Sequence, residues 1–160
     1  MGILKNKFIL IIFLIFSVVG IDQLSKIYVL SLAHSHQLPL HVAPFLAIRL
    51  VWNKGISFGL FNTHGITPWW LYIIIGCVIG IVMAWIWRQR NSTLVWPLSA
   101  VLGGAVGNII DRFQYGAVVD FIDFFLPSTP WGTLHWPAFN IADACITLGG
   151  IWLAYRLYKK

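Results

Sequence analysis

Five aspartates supply every acidic side chain in this 160-residue sequence, which contains no glutamate. Asp22, Asp111, Asp120, Asp123 and Asp143 all lie in or beside apolar runs. An ionisable group at the centre of a membrane helix costs about 2.5–3.5 kcal/mol, so each is a functional-site candidate by default. Two carboxylates held together without metal ligands suggest hydrolysis of the aspartic-protease type. Like charges at close range cannot both ionise, so the pair shares a proton. The ionised partner takes a proton from water, the water attacks a carbonyl, and the protonated partner donates to the oxygen or the leaving amine. Asp120 and Asp143 are the candidate pair, with Asp123, three residues after Asp120, as the confounder. Serine chemistry fits less well, because Ser57 sits in a plausible loop but no histidine is placed as its base. His34, His36 and His41 have no Cys or Glu near them and read as solvated loop residues, so no metal and no cofactor is expected.

The elements that position these residues follow from composition. The chain is 59% hydrophobic and 10% charged, whereas a soluble domain carries about 25% charged residues. This implies solvation mostly by lipid. The net charge of +6 could suggest nucleic acid, but its distribution argues against that. Lys5 and Lys7, Arg88 and Arg90, and Arg156, Lys159 and Lys160 all flank apolar runs, which is an orientation signal. Cys77 and Cys145 lie inside apolar segments without CxxC spacing and read as small buried hydrophobes.

Four spans are expected, at about residues 8–32, 68–87, 94–113 and 140–157, in a single domain covering 1–160. The first mimics a signal peptide, but its apolar run is too long and Asp22 and Lys26 interrupt it. Those two residues are four apart on one helical face, in the favourable acid-then-base order. A structural ion pair and direct participation in the chemistry both fit. Between the first two spans, Phe45 to Trp52 alternates as a strand would, with Leu46, Ile48, Leu50 and Trp52 on one face. Asn53-Lys54-Gly55 supplies a turn, and Ile56 to Phe61 can return as a second strand. Thr67 and Pro68 mark a helix start, with Trp69 and Trp70 as an interfacial belt. Gly103 and Gly107 are spaced for close helix contact. Pro127, Pro130 and Pro137 are expected to keep residues 114–137 irregular, and Asn140 is a good N-cap for the last span. The fold class is therefore an all-α membrane protein of four transmembrane helices with a small extracytoplasmic hairpin or sheet platform. Both termini are placed in the cytoplasm.

At 1.5 Å per residue, Asp22 lies about 22 Å from Lys7, Asn108 about 18 Å and Arg112 about 24 Å from Trp96, and Asp143 about 20 Å from Arg156. The hydrocarbon core is about 30 Å thick. Three spans thus deliver polar groups to one level, near the outer face, with Asp120 on the loop beyond Arg112. Asn108 and Arg112, four apart, share a helical face.

At these residues the chain resembles the lipoprotein signal peptidases (signal peptidase II) of bacteria. The resemblance rests on Asp22-Gln23-Leu24-Ser25-Lys26, Asn53-Lys54-Gly55-Ile56-Ser57-Phe58-Gly59, Gly104 to Arg112, Val119-Asp120-Phe121, and Phe139-Asn140-Ile141-Ala142-Asp143. It covers nearly the whole chain. It implies a monomeric aspartic endopeptidase of the bacterial cytoplasmic (inner) membrane, in contact with membrane lipid. The implied substrate is a prolipoprotein cut just before its diacylglyceryl-modified cysteine. By match to the motifs, Asp120 and Asp143 are implied as catalytic; Asn53, Asn108, Arg112 and Asn140 as lining the site; and Asp22 and Lys26 as structural support. The residues 124–136 look longer than a minimal connection. A proton-coupled small membrane transporter is the alternative, but its acids should line a path open to both sides, and the cytoplasmic halves here are almost purely apolar. The Gly-x-Gly-Asp signature of a presenilin-type protease is absent. A non-catalytic assembly protein would explain the glycine spacing and aromatics but not the clustered aspartates.

Overall fold

A computed structural model of the chain describes residues 2–55, 69–88, 92–129 and 132–159. The expected return strand over Ile56–Phe61, Ser57, the Thr67–Pro68 helix start, Arg90 and Lys160 lie outside the described residues. Four long helices and four strands follow in the order α1 (Gly2–His34), β1 (Leu40–Ala43), β2 (Leu46–Asn53), α2 (Trp69–Arg88), α3 (Val95–Tyr115), β3 (Val118–Thr129), β4 (Gly132–His135) and α4 (Ile141–Tyr158). The chain divides into two compact units.

The helical unit comprises residues 1–22, 68–110 and 141–160. Its core is Ile86, Leu94, Leu98, Leu102 and Leu153, with Ile11, Ile15, Val82 and Val106 packed around it. Small residues on α3 let its neighbours approach backbone to backbone, as the glycine spacing predicts. A Cβ on Gly103 would meet Val18 Cβ at 2.8 Å, and one on Gly104 would meet the Ala142 carbonyl oxygen at 2.5 Å. A Cβ on Gly107 would meet Asp22 Oδ2 at 2.6 Å. On α4, Gly149 faces the Pro97 carbonyl in the same way.

Among the described residues, Lys7–His34 and Trp69–Arg88 are the two helical stretches long and apolar enough to cross a membrane by length and composition. The expected spans at 94–113 and 140–157 coincide with α3 and α4 but do not reach that hydropathy. The reason is where their polar residues sit. Ser99, Asn108, Asp111 and Arg112 on α3 and Asp143 on α4 are buried. They lower the hydropathy of helices whose outward residues, such as Leu148 and Ile151, remain apolar.

The sheet unit comprises residues 23–67 and 111–140. Its four antiparallel strands run in the order β1-β2-β3-β4. Residues 114–137, expected to be irregular, instead supply the longest strand. β3 pairs with β2 from Asn53↔Val118 to Leu46↔Phe124. Pro127 is accommodated because it falls at the irregularity between Leu126 and Thr129 in the β3–β4 ladder. A proline there removes no regular ladder hydrogen bond. The strand at 46–53 is thus one of four, paired with both β1 and β3. Along it Ala47 and Asn53 are buried, while Trp52 is exposed. Hydrophobic alternation alone does not say which side of a strand meets the rest of the unit, and a bulge between Ile48 and Val51 shifts the pairing.

Gly116 makes the transition from α3 to β3. Its φ is +70° and its N–H donates to Arg112 O at 3.0 Å. This is the left-handed termination that glycine adopts without steric penalty. Beyond β4 the chain returns alongside β3, with Trp136 N donating to Phe124 O and an isolated bridge joining Phe139 to Ile122.

Candidate active site

Every site residue expected from the sequence is buried: Asp22, Lys26, Asn53, Asn108, Arg112, Asp120, Asn140 and Asp143. Burial of so many polar groups requires partners, and those partners separate the aspartates into different roles.

In the sheet unit, Asp120 lies on β3 opposite Val51. Its Oδ2 accepts from Asn53 Nδ2 at 2.9 Å and its Oδ1 from Asn140 Nδ2 at 2.7 Å. The Asn53 amide is oriented by its own second bond, since Oδ1 accepts from Gly55 N at 2.9 Å. Asn140 also donates to Val119 O at 3.3 Å, so its side chain spans the backbone just before Asp120. The Phe139–Ile122 bridge delivers Asn140 to this place. Arg112 Nη2 donates to Gly55 O at 2.6 Å and so holds the same short segment as Asn53.

Asp123, the confounder, is engaged differently. Its carboxylate is 3.2 Å from Arg49 Nε and 2.9 Å from His135 Nδ1. It ties β2 to β4 across β3. Asp111 is completely buried and has three partners: Lys26 Nζ at 2.8 Å, Gln23 Nε2 at 2.8 Å and Val119 N at 3.0 Å. Lys26 thus also meets a carboxylate of α3, which spacing along α1 does not reveal.

In the helical unit, Asp143 occupies the first turn of α4, where the helix dipole favours a carboxylate. Its Oδ1 accepts from Asn108 Nδ2 at 2.9 Å. Asp22 Oδ1 accepts from Ala142 N at 2.9 Å. An acid of α1 thus satisfies an amide of the α4 N-terminus that a local cap usually satisfies.

Gln23, Arg49 and His135 were not singled out by sequence reasoning, which counted Asp111 among the candidates but gave it no role. Gln23 and Lys26 do carry a signal, since residues three apart on a helix share a face. His135 carries none, because its pairing to Asp123 depends on the register of β3 and β4. Among the described residues, no cluster of three or more His, Cys, Asp or Glu side chains could hold a metal ion.

Comparison with known proteins shows which chains this one is similar to. The sequence model described as Signal peptidase (SPase) II matches residues 14–159. The lipoprotein signal peptidase of Burkholderia thailandensis is 38% identical over 148 residues, spanning 89% of this chain and 84% of that protein. That of Anaplasma phagocytophilum is 38% identical over 159 residues, spanning 97% of this chain and 96% of that protein. Two solved structures, each of a bacterial membrane enzyme, are also similar. One has a TM-score of 0.76 at 29% identity over 93% of this chain and 87% of that one. The other has a TM-score of 0.74 at 28% identity over 94% of this chain and 93% of that one. The transport alternative finds no support among these relatives. With nearly its full length matched, the chain belongs to the signal peptidase II family.

Proposed function

We propose that the chain is an aspartic endopeptidase that removes the signal peptide from diacylglyceryl-modified prolipoproteins, cutting before the lipidated cysteine, with Asp120 and Asp143 as its catalytic pair. The observation that carries the assignment is that each proposed catalytic carboxyl is oriented by buried carboxamides: Asp120 accepts from Asn53 and Asn140, and Asp143 from Asn108. Asp123 bridges Arg49 and His135 on the neighbouring strands, and Asp111 holds Lys26, Gln23 and the Val119 amide. Asn140, which grips Asp120, also precedes Asp143 by only three residues.

In this reading one aspartate is ionised and the other protonated. The ionised carboxylate removes a proton from water as its oxygen bonds to the scissile carbonyl carbon, and the protonated carboxyl gives its proton to the carbonyl oxygen. Collapse breaks the C–N bond, and the amine leaves with a proton returned by the first carboxyl. No metal or cofactor takes part. Asn53, Asn108 and Asn140 orient the carboxyls, and Arg112 holds the 53–55 backbone beside Asp120. Asp22 and Lys26 are structural.

All four long helices cross the bacterial inner membrane in this proposal, and the chain acts as a monomer and a single peptidase domain among lipids. Two contacts in the helical unit support an arrangement with both termini in the cytoplasm. Lys7 Nζ donates to Ile86 O at 3.4 Å, and Arg156 Nη2 donates to Thr93 Oγ1 at 2.9 Å. The basic anchors of α1, α2 and α4 therefore gather at one end, as the positive-inside rule asks. The site then lies toward the outer face, where a lipidated cysteine presents its peptide bond.

The test is cleavage of a diacylglyceryl-modified prolipoprotein by purified protein with chelator present. Asp120→Asn and Asp143→Asn should abolish cutting while remaining folded, and Asp123→Asn should still cut. Cutting by folded Asp120→Asn would reject the pair, and loss of wild-type cutting on chelation would reject metal-free chemistry.

A further inference from the structure

We infer that Asp111 is a positioning residue for the reaction: its carboxylate holds the Val119 amide and thereby sets where Asp120 stands. This inference rests on the assignment of Asp120 made above. Asp111 is 0% exposed, near the C-terminal end of α3, and belongs to none of the roles already described for the site. Its Oδ2 accepts from Val119 N at 3.0 Å, eight residues further on, and meets Lys26 Nζ at 2.8 Å. Its Oδ1 accepts from Gln23 Nε2 at 2.8 Å.

The geometry closes a tight loop. α3 ends at Tyr115, Gly116 reverses the chain, and β3 begins at Val118. A single carboxylate spans this corner from the last turns of the helix to the second residue of the strand. The amide it holds belongs to the Val118–Val119 peptide group, one peptide unit before the one that joins Val119 to Asp120. Rotation of that peptide plane would displace the Asp120 Cα and turn its carboxyl away from Asn53 and Asn140. Catalytic groups tolerate little of this, since a misplacement of about 1 Å costs on the order of 10²-fold in rate. A charged acceptor suits the task, because charge-assisted bonds to backbone N–H groups are about twice as strong as neutral ones. Lys26 supplies the counter-charge that lets the acceptor be buried, and Gln23 fixes the orientation of its other oxygen.

A purely structural ion pair and a positioning acceptor can be told apart. The double variants K26M/D111N and K26M/D111L both remove the two charges of this pair, so neither buries one member without the other. The first retains a side-chain oxygen able to accept from Val119 N, and the second does not. The measurements are kcat and KM on a diacylglyceryl-modified prolipoprotein, with melting temperature in detergent. K26M/D111N should keep kcat within about fivefold of wild type, whereas K26M/D111L should lose on the order of 10²-fold in kcat with KM little changed. Equal kcat in the two folded doubles would overturn the inference. Asp111→Glu gives a second route if the leucine variant does not fold. It keeps the charge pair with Lys26 but displaces the acceptor by one methylene, so kcat should fall at least about tenfold in folded protein. Wild-type kcat in that variant would equally overturn the inference. Asp120→Asn measured alongside separates the two levels. If it still cuts, the catalytic assignment fails. If it is inactive and the doubles are equal, only the role of Asp111 fails.

Discussion

At the scale of the residue, the five aspartates are chemically identical and are distinguished by what donates to them. Asp120 takes an amide hydrogen on each oxygen, from Asn53 and Asn140. Asn140 should therefore matter through orientation, not through charge. Asn140→Ala should lower kcat on the order of 10²-fold while changing KM little, because the Asp120 carboxyl loses a direction-setting donor. Steady-state kinetics on the lipidated substrate checks this, and an unchanged kcat would remove Asn140 from the machinery. The contrasting case is Asp123, whose partners Arg49 and His135 have side chains 42% and 40% exposed. Both side chains can be hydrated when the carboxylate is replaced, which is why Asp123→Asn is expected to remain folded and active.

At the scale of the element, α3 serves as the spine of the helical unit. Its glycines meet neighbours where no side chain fits, and a contact with backbone cannot be relieved by a rotamer change. Gly104→Val should therefore destabilise the protein by about 1–3 kcal/mol or more through overpacking against the Ala142 carbonyl. Gly80, on α2, has nothing within 4 Å of where a Cβ would stand. Gly80→Ala should stabilise by about 0.5–1 kcal/mol through helix propensity. Thermal unfolding in detergent distinguishes the two, and equal effects would refute the packing explanation. β3 has the complementary role in the sheet unit. It carries Asp120 and Asp123, accepts β2 along its length, and guides the returning chain to Asn140.

At the scale of the whole molecule, large apolar side chains remain exposed on the helices: Phe13, Phe16 and Leu24 on α1, Ile73, Ile81 and Trp87 on α2, and Leu148 and Ile151 on α4. Exposed apolar side chains in such number are suited to lipid, not water. The proposed orientation has a direct readout. With Cys77 and Cys145 replaced by alanine, Ser35→Cys should react with an impermeant maleimide from outside spheroplasts. Thr93→Cys should react only after permeabilisation. Both positions are exposed, so the reverse pattern would invert the proposed topology.

Much of this was written locally in the chain. Apolar runs bounded by basic residues mark the four helices to within a few residues at most ends, because helix formation depends on neighbours three and four apart. The glycine spacing on α3 and the motifs that carry Asp22, Asn108, Arg112, Asp120 and Asp143 were legible for the same reason. Sequence alone did not determine which partner each aspartate takes. Lys26 reaches Asp111 across 85 residues of chain, Gln23 reaches it across 88, and Asp22 caps a helix 120 residues away. Nor did it determine that residues 118–129 form a strand through Pro127, which depended on β2 being available to pair. Hydrogen bonds between distant segments leave no periodic trace, since any of several donors can satisfy a buried carboxylate. Only the tertiary structure, by bringing particular donors within about 3 Å, decided which side chains and amides each aspartate meets.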